Sequence, residues 1–266
     1  MLTLRPAAVA GMFYPESPER LRDEVDRLLK AVQVPPDEPT PKALIVPHAG
    51  YAYSGAVAAS GYARFLREGP NLLRVVLIGP SHHAAFHGLA LPESEAFETP
   101  LGPVSVDAEA MALIPNVRRS ETIHRSEHAL EVQIPFLQRV APQARLVPLA
   151  VGQASPIQVA EVLEALWGGA ETVIVVSSDL SHYLPYRLGR AVDEETSRMI
   201  LRLEPALDAE RACGHAPVSG FLEAARRKHL HPALLDLRSS GDTAGSPEEV
   251  VGYGAFAFFE TGHGSA

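Results

Sequence analysis

A three-layer α/β sandwich around a mostly parallel central sheet is the fold that this 266-residue sequence predicts. Three observations predict it. Apolar, β-branched runs alternate with segments of helical periodicity through most of the chain, the pattern of strand–helix–strand crossovers. Three of the runs, residues 43–46, 74–78 and 172–176, are continuous rather than alternating, as strands covered on both faces are. Each of these three runs into a loop that carries histidine: Pro47-His48-Ala49-Gly50, Gly79-Pro80-Ser81-His82-His83 and Ser177-Ser178-Asp179-Leu180-Ser181-His182. Ligands of open α/β sheets bind at the carboxyl ends of the strands. Several imidazoles delivered to one such edge suggest a metal site.

Taken in order, Ser17-Pro18-Glu19 opens the first helix with an N-cap serine, a proline at the first helical position and an acid in the first turn. Leu21, Val25, Leu28 and Leu29 follow at helical spacing. The proline-rich stretch 34–39 ends that helix as a stiff linker. After the strand at 43–46, Ser54 is placed to cap a helix reaching Leu66, on which Ala56, Ala59 and Gly61 permit close packing on the sheet. The strand at 74–78 leads into a less regular region to about Asn116, with Pro92, Pro100, Gly102 and Pro103, which reads as short edge strands. Ser126 is placed to cap a helix over 127–140, with Leu130 and Ile134 inward and Pro135 bending it or ending its first half. A strand at 145–151, a helix at 156–167 and the strand at 172–176 come next. Helices over 190–203, 205–212 and 217–228 follow, and strands over 233–237 and 252–259 close the chain. Residues 239–246 read as a mobile loop and 262–266 as a frayed end. No repeat or composition break divides the chain, so residues 1–266 are expected to form a single domain.

Composition narrows the function classes. With 46% hydrophobic and 21% charged residues the chain reads as a soluble globular protein with ample core. A net charge of −9, with no run rich in Lys or Arg, argues against a nucleic-acid partner. The single cysteine, Cys213, excludes an internal disulfide and fits a reducing, cytoplasmic setting. Arg5 and Pro6 interrupt the only apolar stretch near the N-terminus, which argues against a signal peptide. Residues 43–63 carry no Asp, Glu, Lys or Arg and match a membrane span in length. Pro47, His48, Gly50, Ser54, Gly55, Ser60 and Gly61 make strand, loop and helix the better reading, so no membrane partner is expected.

Among chemistry-bearing residues, His48 is followed by Tyr51 and Tyr53, which can wall a pocket. His82 and His83 are adjacent, and on extended backbone their side chains point in opposite directions. His82, nearer the strand end, is the expected ligand, and His83 is the second choice. Asp179 and His182 stand three apart. On a helical turn they would share a face, with the carboxylate setting the imidazole tautomer or moving a proton; caps at a helix N-terminus are the structural alternative. Glu127-His128-Ala129-Leu130-Glu131 places His128 and Glu131 on one helix face, in an order unlike the zinc-protease His-Glu-x-x-His; by spacing alone it reads as a solvated face. Cys213-Gly214-His215 reads as an exposed turn at a helix end, and a thiolate there would favour copper, iron or zinc. His87, His124, His229, His231 and His263 have no comparable context. A hydrolase triad of Ser178, Asp179 and His182 would be unusually close in sequence, without an evident oxyanion hole.

Pro47-His48-Ala49-Gly50-Tyr51, Gly79-Pro80-Ser81-His82-His83, Glu127-His128 with Glu131, Ser177-Ser178-Asp179 with His182, and Cys213-Gly214 together resemble, in order and spacing, the Memo family. In bacteria and archaea its members are also labelled component B of the AmmeMemoRadiSam set. The resemblance runs from Ala10-Gly11 with Tyr14 to Gly252-Tyr253-Gly254-Ala255. It implies a fold similar to that of class III extradiol dioxygenases, non-haem iron enzymes with two histidines and a glutamate at the metal. It implies metal ligands at His48, His82 and Cys213, with Asp179, His182 and His128 as catalytic residues around the same pocket. The cysteine would stand in place of the dioxygenase glutamate and change metal preference and redox potential. Ser54 and Ser181 stand where some relatives have cysteine. The resemblance further implies an iron or copper ion, with zinc as a further candidate, and redox chemistry on a small-molecule or peptide substrate. A functional link to a radical-SAM protein belongs to the same implication. Two other classes stay open: a non-catalytic ligand- or protein-binding module that retains the pocket, and a zinc-dependent hydrolase.

Overall fold

Residues 2–260 are described by the computed structural model; the frayed end expected at 262–266 lies outside the described residues. In chain order the elements are β1 (Leu4–Arg5), α1 (Pro18–Lys30), β2 (Ala43–Val46), α2 (Tyr51–Tyr62), β3 (Arg74–Pro80), β4 (Leu89–Leu91), β5 (Ala96–Thr99), β6 (Gly102–Ser105), α3 (Ala108–Met111), β7 (Arg118–Arg119), α4 (Glu121–His124), α5 (His128–Glu131), α6 (Ile134–Val140), β8 (Arg145–Val151), α7 (Pro156–Ala165), β9 (Thr172–Ser177), β10 (His182–Leu184), α8 (Tyr186–Leu201), α9 (His215–Arg227), β11 (His231–Ser239) and β12 (Val250–Phe259).

One sheet runs in the order β10-β12-β2-β9-β3-β8-β4-β7, with β11 paired to β12, and β1, β5 and β6 form a second, smaller sheet. Strands β2, β9, β3 and β8 are mutually parallel. The parallel sheet read from the sequence is therefore the four-strand centre. The flanks correct that reading, because β12 and β4 join it antiparallel. The long return between β11 and β12 contains no crossover helix, and a parallel pairing would need one.

The sheet is covered on both faces. A Cβ on Gly61 of α2 would lie 2.8 Å from Val46 and 3.4 Å from Leu44, so α2 rests on the face that carries those two residues. Phe258 is in register with Ala43 and so points to the opposite face. There it meets Phe221 of α9 edge-on, with ring centroids 4.7 Å apart. Helix α7 packs on α9 so closely that a Cβ on Gly220 would overlap Val159 at 2.2 Å. Helix α1 buries Leu21, Val25, Leu28 and Leu29 against α2 and α6, and Ser17 caps it. These layers leave the carboxyl ends of β2, β3 and β9 aligned, since Val46 is in register with Ser177 and Val176 with Ile78.

Several local expectations are corrected. Helix α2 starts at Tyr51 with Gly50 as its N-cap, because the Ser54 hydroxyl bonds to the Ala49 carbonyl (2.9 Å) within the first turn. The helix expected over 127–140 is two, α5 and α6, with Pro135 in the first turn of α6. The cap of α5 is Glu127 rather than Ser126. Residues 205–212 form no helix: Asp208 holds the N–H groups of Glu210 and Arg211 in a tight turn. Cys213 lies just before α9 and so precedes a helix rather than ending one. His182 opens β10, so Asp179 and His182 do not share a helical face. Residues 239–246 contain a 3₁₀ turn closed by reciprocal Ser239–Asp242 hydrogen bonds. No described helix is long and apolar enough to cross a membrane.

Candidate metal centre

The strand ends deliver their side chains to one edge of the sheet: His48 from β2, His82 from β3 and Asp179 from β9, joined there by Cys213 before α9. One ligand atom from each of His48, His82 and Cys213 lies within 4.8 Å of the other two, and His82, Glu127 and His128 make a second such group. His48 Nε2 is 3.3 Å from Cys213 Sγ. Bonds of about 2.1 Å to nitrogen and about 2.3 Å to sulfur require about 3.1–3.6 Å between two ligand atoms for angles from 90° to tetrahedral, so the pair fits a shared ion.

A chain of buried hydrogen bonds sets the His48 tautomer. The Gln133 amide nitrogen donates to the Pro47 carbonyl (2.9 Å) and to Ser177 Oγ (2.9 Å). Ser177 gives its own proton to the Ala129 carbonyl (2.6 Å). A serine has one proton, so Ser177 can only accept from His48 Nδ1, 2.9 Å away. The proton of His48 is therefore on Nδ1, and its Nε2 lone pair faces Cys213. Burial, with the His82 imidazole beside it, pushes the His48 imidazolium down to about 3, so the ring is neutral, as a ligand must be.

His82 is oriented by a carboxylate. Its Nδ1 lies 2.9 Å from Glu127 Oε1, and its backbone N–H also donates to Glu127. Burial opposes the Glu127 charge, but the hydrogen bond from the His82 ring and the backbone N–H groups of Ala129 and His82 outweigh it. The carboxyl is held down to about 2. An ionised Glu127 accepts only, so Nδ1 of His82 carries the proton and Nε2 is free to bind, the carboxylate–histidine arrangement of metal sites. His128 Nδ1 is 3.5 Å from the same oxygen, and its ring stacks on His82 with centroids 4.6 Å apart. Burial, with the crowding of the His48 and His82 imidazoles beside it, pushes the His128 imidazolium down to about 4. His83 is exposed, its ring edge-on to His128 at 5.8 Å.

Asp179 is buried and accepts the backbone N–H of His48 (2.7 Å). Burial raises its carboxyl, against the pull of that hydrogen bond. His182 donates from Nδ1 to the Leu180 carbonyl (2.8 Å), which leaves its Nε2 unpaired with backbone. Burial, then the Asp179 carboxylate, pushes the Cys213 thiol up to about 12. Cys213 is thus a thiol until a cation takes the place of its proton. The Ser178 hydroxyl bonds to the Asp179 carbonyl and accepts the Gly214 N–H, and no Ser-His-Asp relay forms.

Glu127 and Glu131 correct the solvated-face reading, since both are buried. Glu131 pairs with Arg5 and accepts from the N–H groups of Ala8 and Val9 and from the Tyr14 hydroxyl (2.6 Å). Sequence reasoning gave no role to Glu127, Ser177 or Gln133. The available signal was the density of polar residues in segments otherwise apolar enough to be core.

A family model described as Memo-like protein matches residues 5–257. The MEMO1 family protein of Methanosarcina barkeri is 34% identical over 268 residues, covering 95% of this chain and 98% of the relative. That of Methanopyrus kandleri is 34% identical over 279 residues, covering 96% and 98%. That of Aquifex aeolicus is 35% identical over 268 residues, covering 95% and 98%.

Proposed function

The chain belongs to the Memo-like protein family, and from that premise and the donor set we propose that it is a metal-dependent oxidoreductase holding an iron or copper ion at His48, His82 and Cys213. The observation that carries the reading is the gathering of ligand atoms from His48, His82 and Cys213 within 4.8 Å of one another, with each imidazole held by a hydrogen bond at Nδ1. A bound iron or copper ion would supply one-electron chemistry and a place for dioxygen or substrate, its potential tuned by the thiolate. The chain's own residues do the rest. Cys213 releases its proton as the ion arrives. Asp179 holds the His48 backbone in place. His128, neutral through burial, and His182, held at Nδ1 by the Leu180 carbonyl, would move protons beside the ion. The cytoplasm, whose reducing poise keeps a lone thiol free, is the proposed location. A working link with a radical-SAM protein belongs to the same proposal, as does a small-molecule or peptide substrate.

Metal content after aerobic and anaerobic purification, followed by oxygen uptake with a reductant, tests this reading. Iron or copper near one ion per chain with reductant-dependent oxygen uptake is the expected result. Zinc alone with no uptake would move the site to the hydrolase reading. No uptake across a broad set of phenols and reductants, with iron or copper bound, would favour a binding module.

A further inference from the structure

Cys213 faces the His48 nitrogen, and it also lines a cavity of about 600 Å³ that none of His48, His82, Asp179 or His182 lines. The cavity lies between the loop after β3, the turn from β8 into α7, and the segment that enters α9. Its volume is that of a small-molecule site. Among the described residues no Asp, Glu, Lys or Arg lines it, although 21% of the chain is charged. Much of the wall is apolar, with Phe86, Val151 and Leu207 among proline and alanine side chains.

Most of the polar wall is already committed. Ser81 donates to the Ala84 carbonyl, Ser155 is held in the N-terminal capping box of α7, and Ser219 accepts the Leu207 N–H. Gln153 and His215 complete the polar wall.

We propose that this cavity is the organic-substrate chamber, taking an uncharged, largely apolar molecule that lies against Cys213. Charge decides the class. An ionised carboxylate or ammonium would lose its water with no opposite charge in the wall, which disfavours it by more than about tenfold against a neutral molecule of the same shape. That the occupant is a substrate rests on the oxidoreductase reading, whereas its binding does not.

Three probes of one ring system and differing charge test the proposal: tryptophol (neutral), indole-3-acetate (anionic) and tryptamine (cationic). Their affinities are measured by ligand-observed NMR on the full chain, with metal content recorded in the same samples. Tryptophol is expected to bind at least about tenfold more tightly than either charged probe. Ala85→Phe and Ala216→Phe each fill the cavity from a different wall and are expected to weaken tryptophol at least about tenfold. Ala85 is exposed, so Ala85→Phe keeps the test intact if Ala216→Phe fails to fold. Equal affinity for the three probes, no tryptophol binding, or unchanged binding in a folded cavity-filling variant overturns the chamber. Tryptophol selectivity in a protein that takes up no metal overturns the oxidoreductase reading and leaves the chamber standing.

Discussion

Glu127 and Glu131 stand four residues apart around one short helix, both buried, and their surroundings give them different work. Glu131 is met by a guanidinium, two backbone N–H groups and a tyrosine hydroxyl. Arg5 is itself buried and spends its remaining donors on the carbonyls of Pro6, His124 and Glu127. The knot is closed: no polar atom in it faces a ligand, and its effect is to tie the first fourteen residues to α5. Glu127 is met instead by two imidazoles and by backbone. An imidazole has a second nitrogen, so this network stays open at the side that faces His48 and Cys213. A buried carboxylate paired with arginine holds the fold, and one paired with histidine aims a ligand.

That contrast can be broken most forcefully at Arg5. Arg5→Met leaves the Glu131 charge buried and unpaired, and is expected to cost about 3–5 kcal/mol in denaturant unfolding. Arg5→Met with Glu131→Gln removes both charges and is expected to cost less than Arg5→Met alone, while the folded fraction of either variant still takes up one metal ion. Metal uptake that fails in a folded Arg5 variant would merge the two networks.

The next largest effect is pH dependence. The Cys213 thiol is pushed up to about 12 by burial and by Asp179, so binding an ion at the sulfur releases one proton. Apparent metal affinity is expected to rise about tenfold per pH unit between pH 7 and 9, and that slope is expected to disappear in Cys213→Ser. Glu127→Gln comes third. It replaces a group that only accepts with one that also donates, so the His82 tautomer is no longer fixed, and it is expected to lower metal affinity about ten- to a hundredfold. Its thermal midpoint should fall less than that of Arg5→Met. The smallest effect is expected for Ser177→Ala, which frees His48 to take either tautomer. A loss of about tenfold in metal affinity with little change in unfolding would place Ser177 with Glu127 rather than with Arg5.

The sheet was legible where the chain is locally consistent. The runs at 43–46, 74–78 and 172–176 are apolar, β-branched and stopped by Pro, Gly or Ser, so strand and edge could be read together. The polar networks were not, because their partners are distant in sequence. Arg5 and Glu131 are 126 residues apart, and His82 and Glu127 are 45 apart. Periodicity then misled, since His128 and Glu131 have the spacing of one helix face, which reads as solvated, although Glu131 is buried. The segment around Cys213 hid for another reason: Pro205 and the Asp208 turn replace an expected helix, so the cysteine enters α9 from its N-terminal side. Asp179 and His182 would share a face only on a helical turn, and His182 instead opens a strand, so the two are held by different backbone groups.

The central claim is that His48, His82 and Cys213 share one ion, with Glu127 orienting rather than binding. Anomalous diffraction from crystals of the protein loaded with iron or copper tests it most directly. The account expects one peak per chain within about 2.0–2.4 Å of His48 Nε2, His82 Nε2 and Cys213 Sγ. A peak held by Glu127 and His128 and remote from Cys213 would contradict it.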